Sequence, residues 1–131
     1  MEPEITRREA LQMSRDLSAL PEQPGPTPYA LNVVFELRSA ESAEAFDALV
    51  AETLEGIADE PDTLVYAVHT PEGQPLVRVF YELYADERAF LSHEGQPHVR
   101  RMVEERARHL VGAPQVLFMH QHMGKLPRGP V

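Results

Sequence analysis

Between residues 30 and 38, Val33, Phe35 and Leu37 alternate with Asn32, Glu36 and Arg38, a period of two that predicts a half-buried β-strand. The period then changes. Phe46, Leu49, Val50, Thr53, Leu54 and Ile57 recur at helical spacing, Ser39 or Ser42 can cap the helix, Glu41 and Glu44 fall in its first turn, and Pro61 lies beyond its end. Residues 63–69 are rich in β-branched and aromatic side chains. Thr70-Pro71-Glu72-Gly73-Gln74 then supplies turn chemistry and residues 76–84 resume the strand pattern, so a hairpin is expected. Asp86 can cap a short helix that runs to His93 and breaks at Gly95. Pro97 suits the first position of a further helix with Val99, Met102, Val103, Arg106 and Leu110 on one stripe. Gly112 and Pro114 end it, and residues 116–122 read as a fourth strand.

The order strand, helix, strand, strand, helix, strand is the split βαβ of a ferredoxin-like α+β fold, with the helices on one face of an antiparallel sheet. The folded unit is expected over residues 29–123, with a short tail at 124–131. Residues 1–28 are set apart as an N-terminal arm: Leu11, Met13, Leu17 and Leu20 suit a short amphipathic helix, and Pro21, Pro24, Pro26 and Pro28 an extended linker. A helix of that length is marginal alone in water, so the arm is expected to dock on the core or on a partner subunit.

Both sheet faces carry apolar residues. Phe35, Leu37, Leu64, Tyr66, Val68, Val77, Val79, Tyr81, Leu83, Leu117 and Met119 are assigned to one, and Val34, Val65, Phe80, Val116 and Phe118 to the other. The helices can cover only one face. An exposed apolar sheet exceeds what a soluble monomer usually tolerates, so a homodimer joined face to face is expected.

Composition narrows the chemistry. Within 131 residues, enough for one domain, 12 Lys and Arg face 21 Asp and Glu, and the net charge of -9 disfavours nucleic acid and anionic membranes as partners. No apolar run approaches the roughly 18–20 residues of a membrane span. Near the start, Arg7, Arg8 and Arg15 are balanced by Glu2, Glu4, Glu9 and Asp16, unlike an acid-poor import sequence, and a cytoplasmic location is expected. There is no cysteine, hence no disulfide, thiolate nucleophile or cysteine-ligated metal centre. Catalysis would fall to His, carboxylates, Tyr or Asn.

Three segments carry a resemblance to a known family: Glu60-Pro61-Asp62-Thr63-Leu64-Val65-Tyr66, then the run from Tyr81 to Phe90, then His93-Glu94-Gly95-Gln96-Pro97-His98. In this order and spacing they resemble the antibiotic biosynthesis monooxygenase family, over about residues 29–123. The resemblance implies a dimeric α+β barrel, often a cofactor-independent oxygenase of hydroquinones, anthrones or similar electron-rich aromatics. Isomerases and haem-degrading enzymes share the family. Where the anthrone oxygenases carry an Asn and, four residues on, a Trp, this chain has Phe80 and Tyr84. The haem-binding helical His matches near Met102 and the haem-pocket Trp near His93, which disfavours haem. The Tyr-Glu strand and the His93 to His98 spacing look more like the quinol-oxidase and isomerase branches.

With strands ordered 4-1-3-2, Asn32, Glu82, Tyr84, His120 and His122 are expected at one end of one sheet face, with His93 in the helix above them. A pocket bounded by Asn32, Phe80, Glu82, Tyr84, His93 and Phe118 follows. His93 is the first choice as base, because imidazole titrates nearest neutral pH, and Glu82 could orient it. Asn32 and Tyr84 could stabilise an oxyanion, Phe80 and Phe118 could wall the ring, and His98 and His120 could touch substrate. Plainer roles compete: a helix-end carbonyl contact for His93, an ion pair with Arg78 for Glu82, edge hydrogen bonds for Asn32 and Tyr84, and solvent exposure for His98. His120 and His122 could ligate a metal, but a surface pair is commoner, and neither metal nor cofactor is assigned.

The leading functional expectation is a cofactor-independent monooxygenase or oxidase that uses dioxygen on a small phenolic, quinol or polyketide-like aromatic. A small-molecule isomerase using the same acid/base groups, or a non-catalytic ligand-binding dimer, are the alternatives.

Overall fold

The computed structural model describes residues 27–125. Strands β1 (Tyr29–Glu36), β2 (Thr63–His69), β3 (Val77–Tyr84) and β4 (Gln115–His120) form one antiparallel sheet in the order β2-β3-β1-β4. Helix α1 (Ala40–Ile57) joins the first two strands, and α2 (Glu87–Glu94) and α3 (Pro97–Arg106) lie between the last two, giving the expected ferredoxin-like fold. The arm falls outside the described residues, apart from Thr27 and Pro28 of its linker.

Local chemistry accounts for the helices. Ser39 stands extended at the N-cap of α1 and accepts from the Ser42 N–H at 3.0 Å, while Ala43, Phe46, Val50, Thr53 and Ile57 turn one stripe inward. Asp86 caps α2 through the Ala89 N–H at 2.8 Å. The chain breaks at Gly95 and Gln96, and Pro97 opens α3, where its missing N–H is no loss. A 3-10 turn, Ala107–His109, follows α3. Strand limits differ slightly from expectation: β1 starts at Tyr29, Leu37 remains only as a bridge to Leu110, and β4 stops at His120, leaving His122 outside the sheet.

Register corrects the assignment of the sheet faces. Val33 pairs with Phe80 and Val116, Phe35 with Arg78, and Val68 with Phe80. Phe35, Leu37, Tyr66 and Val68 therefore share the helix side with Phe80, and with Val116 and Phe118. Val77, Val79, Tyr81, Leu83, Leu117 and Met119 lie opposite, together with Val34 and Val65. Parity is rigid within a strand, but which parities meet depends on turn length and on irregularities. One such irregularity is here: the β2–β3 register shifts between Thr63 and Val65, so Leu64 is an extra, exposed residue in a β-bulge.

The core fills the helix side, where Phe35, Phe46 and Phe80 form a tilted aromatic cluster with ring centroids 4.7–5.9 Å apart. On the other face Val34, Val77, Val79 and Tyr81 are half-buried and Leu117 is exposed, and none belongs to that core. Ala30 and Leu83, paired on this second face, are its buried members. Among the described residues no helix is long and apolar enough to cross a membrane.

Candidate functional site

The helix side of β3 carries Arg78, Phe80, Glu82 and Tyr84 in alternation. Arg78 is buried and forks onto Asp47 of α1, Nε to Oδ1 and Nη2 to Oδ2, each at 2.9 Å. An Arg78–Glu82 pair is therefore not made. Glu82 instead accepts from the Tyr84 hydroxyl at 2.5 Å. Burial pushes the Glu82 carboxyl up to about 7; the Tyr84 bond and Arg106 pull it down, and the charges of Glu94 and Glu60 push it further up. Burial, then the adjacent Glu82 charge, holds the Tyr84 hydroxyl far above the ordinary tyrosine range, so it remains a donor. Tyr66, opposite Glu82 on β2, is raised for the same two reasons.

These groups border a cavity of about 90 Å³ between the sheet and the second helical pair. Leu31, Val33, Phe35 and Phe118 make its apolar wall, and Tyr66, Glu82, His93, Glu94 and Arg106 its polar lining. The Arg106 guanidinium lies 5.0 Å from the centre of the Phe35 ring and forms no ion pair among the described residues. Burial lowers its pKa, against the opposing pull of Tyr66, Glu94 and Glu82.

His93 is 3% exposed and also lines a second, more polar cleft of about 400 Å³, beside the end of α1. Its Nδ1 lies 2.7 Å from Oε1 of Glu60, which also accepts from the Thr63 hydroxyl at 2.7 Å. The other carboxylate oxygen of Glu60 meets Nε2 of His98 in a close hydrogen bond. Burial alone would raise the Glu60 carboxyl, but the bonds to Thr63, His93 and His98 outweigh it and hold the group below the usual carboxylate range. Glu60 is thus an anion clamped by two imidazoles, and an ionised carboxylate at Nδ1 favours the His93 tautomer whose Nε2 is free to accept a proton.

The expected residues divide. His93, Glu82 and Phe118 line the inner cavity. Tyr84 is fully buried and reaches it through Glu82, whereas Phe80 is locked in the core behind the wall. Asn32 is a correction: it pairs with Tyr81 and Leu117 and so belongs to the opposite face, too remote to serve an oxyanion at Glu82. His98 belongs to the outer cleft. His120 packs against the Tyr29 ring at 5.2 Å, with Nδ1 3.3 Å from the Thr27 hydroxyl, and does not line the cavity. Among the described residues no group of three or more His, Asp or Glu is arranged to hold a metal ion.

Sequence reasoning missed Glu60, Tyr66 and Arg106 as site residues. Glu60 and Tyr66 bound the first of the three family segments, and Arg106 stands on the helical stripe, yet none has a distinctive neighbour in sequence. Glu60 finds its two histidine partners 33 and 38 positions downstream.

A ferredoxin-like sheet whose buried acid/base groups face a helix-covered cavity defines the class, and comparison defines the family. The model of the antibiotic biosynthesis monooxygenase family matches residues 28–105, and the chain belongs to that family. The fold recurs in a Caulobacter crescentus protein provisionally described as such a monooxygenase, with a TM-score of 0.70 at 19% identity, covering 75% of this chain and 92% of that one. A Nitrosomonas europaea protein of the same provisional description also gives 0.70, at 16% identity, covering 77% and 96%. A Nitrosomonas europaea protein of unknown function gives 0.68 at 21% identity, covering 81% and 100%. No curated protein matches the chain.

Proposed function

We propose that the protein is a cofactor-independent oxygenase or oxidase acting on a small phenol or quinol. The observation that carries this reading is a carboxyl poised near pH 7, Glu82, beside a carboxylate-oriented histidine, His93, in one apolar-walled cavity. A phenolate passes an electron to dioxygen far more readily than the neutral phenol, so the protein's task is to remove one proton and stabilise the anion. His93 Nε2 takes that proton and Glu82 shares it. The Arg106 guanidinium, facing the same cavity, takes the oxyanion role expected of Asn32.

Electron balance leaves two outcomes. A quinol loses two electrons and two protons to dioxygen, giving the quinone and hydrogen peroxide. An activated CH2 group instead forms a peroxide whose O–O bond breaks, leaving a carbonyl on the substrate and releasing water.

Size narrows the substrate. A benzene-binding apolar cavity is on the order of 150 Å³, so at about 90 Å³ this one admits a single ring only if its lining side chains move apart, and it excludes a fused polyketide skeleton. The same small volume favours a second reading, an isomerase of a small carbonyl compound that moves a proton between His93 and Glu82. Under either reading the protein works as a homodimer, a second copy covering the Val77, Val79 and Tyr81 face.

Oxygen uptake by the purified protein with a panel of single-ring hydroquinones is the test. Uptake that falls about 10²-fold or more in His93→Ala is expected, the size of a lost general base. No uptake with any ring, together with solvent deuterium entering a small ketone, would overturn the first reading in favour of the second.

A further inference from the structure

Gly56 occupies the last full turn of α1, and its backbone is not left-handed: among the described glycines only Gly73 has a positive φ. Backbone freedom therefore does not account for a residue that weakens a helix relative to alanine. Space does. A Cβ at position 56 would overlap the His98 imidazole, closest to Cγ and lying 2.5 Å from Nδ1 and 2.8 Å from Cδ2. The helix thus leaves a flat seat on which the His98 ring rests while its Nε2 reaches Glu60.

We propose that Gly56 and His98 are positioning residues for His93, acting through Glu60; the proposal rests on the reading of His93 as the cavity base. A carboxylate is planar, and its orientation is defined only when both oxygens are held. Thr63 and His93 share Oε1, whereas His98 is the hydrogen-bond partner of Oε2. Without His98 the carboxylate is tethered at one oxygen and turns about that tether. Its lone pairs then lose their aim at His93 Nδ1, and with it the bias toward the tautomer that frees Nε2. His98 is part-buried, with 24% of its side chain exposed, and it contacts the outer cleft but not the inner cavity, so its influence on the cavity passes through Glu60.

Long-range 1H–15N NMR of the imidazoles in the full chain at neutral pH tests this without any substrate. Wild-type His93 should carry its proton on Nδ1, and Glu60→Gln should reduce that form. In Gly56→Ala the His98 ring should leave Glu60, seen as loss of its slowly exchanging Nε2 proton, and the Nδ1–H fraction of His93 should fall. His98→Ala should reproduce the fall, covering the case in which Gly56→Ala folds poorly, and His98→Gln, which keeps an N–H donor, should restore it. A wild-type His93 protonated on Nε2, or a tautomer ratio unchanged in both Gly56→Ala and His98→Ala, overturns the proposal. Failure of every hydroquinone to support oxygen uptake would instead overturn the oxygenase reading and leave the tautomer result standing.

Discussion

Tyr84 and Glu82 stand two residues apart on one face of β3, and the phenol donates to the carboxyl over 2.5 Å. The bond opposes burial, which otherwise drives Glu82 toward its neutral form. Removing it in Tyr84→Phe should therefore raise the Glu82 midpoint above about 7. Carbon NMR of the glutamate carboxyls across a pH series reads this directly; an unmoved or lower midpoint would show that the bond does not hold Glu82 down.

Glu82 also makes stability depend on pH. Its value of about 7 in the folded chain lies above the ordinary 4.5, so the native state binds this proton more tightly than the unfolded chain does. The resulting stability is fully present below 4.5 and is lost as pH rises through about 7. A shift of this size corresponds to about 3 kcal/mol. Between pH 4 and pH 8 the wild type should thus lose about 3 kcal/mol more than Glu82→Gln, which keeps its proton count, in denaturant titrations of both. Parallel stability curves would refute the shift.

If His93 and Glu82 handle one proton between them, their losses will not add. His93→Ala should cost about 10²-fold in turnover, and the double variant His93→Ala/Glu82→Gln little more than that. Independent, multiplying losses measured on any active hydroquinone would separate the two roles.

The half-buried Val79 centres the sheet face opposite the core. In the proposed homodimer a carboxylate placed there would have to enter the subunit interface unpaired, at a cost of several kcal/mol. Val79→Asp should accordingly run as a folded monomer in size-exclusion chromatography, and a stable dimer would mean that a different surface joins the subunits.

Much of the fold was legible because each element announces itself locally. Ser39 and Asp86 are caps that also read as caps, Gly95 and Pro97 break the second helical region where such residues must, and periods of two and 3.6 separate strands from helices. The pairing of faces was not legible. Leu64 adds one residue to β2 and so changes the parity of the β2–β3 pair; independently, nothing local tells whether Phe35 will meet Arg78 or Val79, and the pattern alone groups Asn32 with side chains that lie on the far side of the sheet. The site divides along the same line: Glu82 and His93 declared themselves by residue type within family segments, while Glu60 and Arg106 acquire meaning only from residues brought near by folding.

Glu60 grips histidines on both sides of the break between α2 and α3. Eight and ten residues are each too few for a helix to persist unaided in water. Tied to one carboxylate, which is itself tied to Thr63 at the start of β2, the two cannot fray separately. Helix α2 and the first turn of α3 are therefore expected to open and close as a single cooperative segment, with protonation of Glu60, a side chain outside the cavity, loosening both.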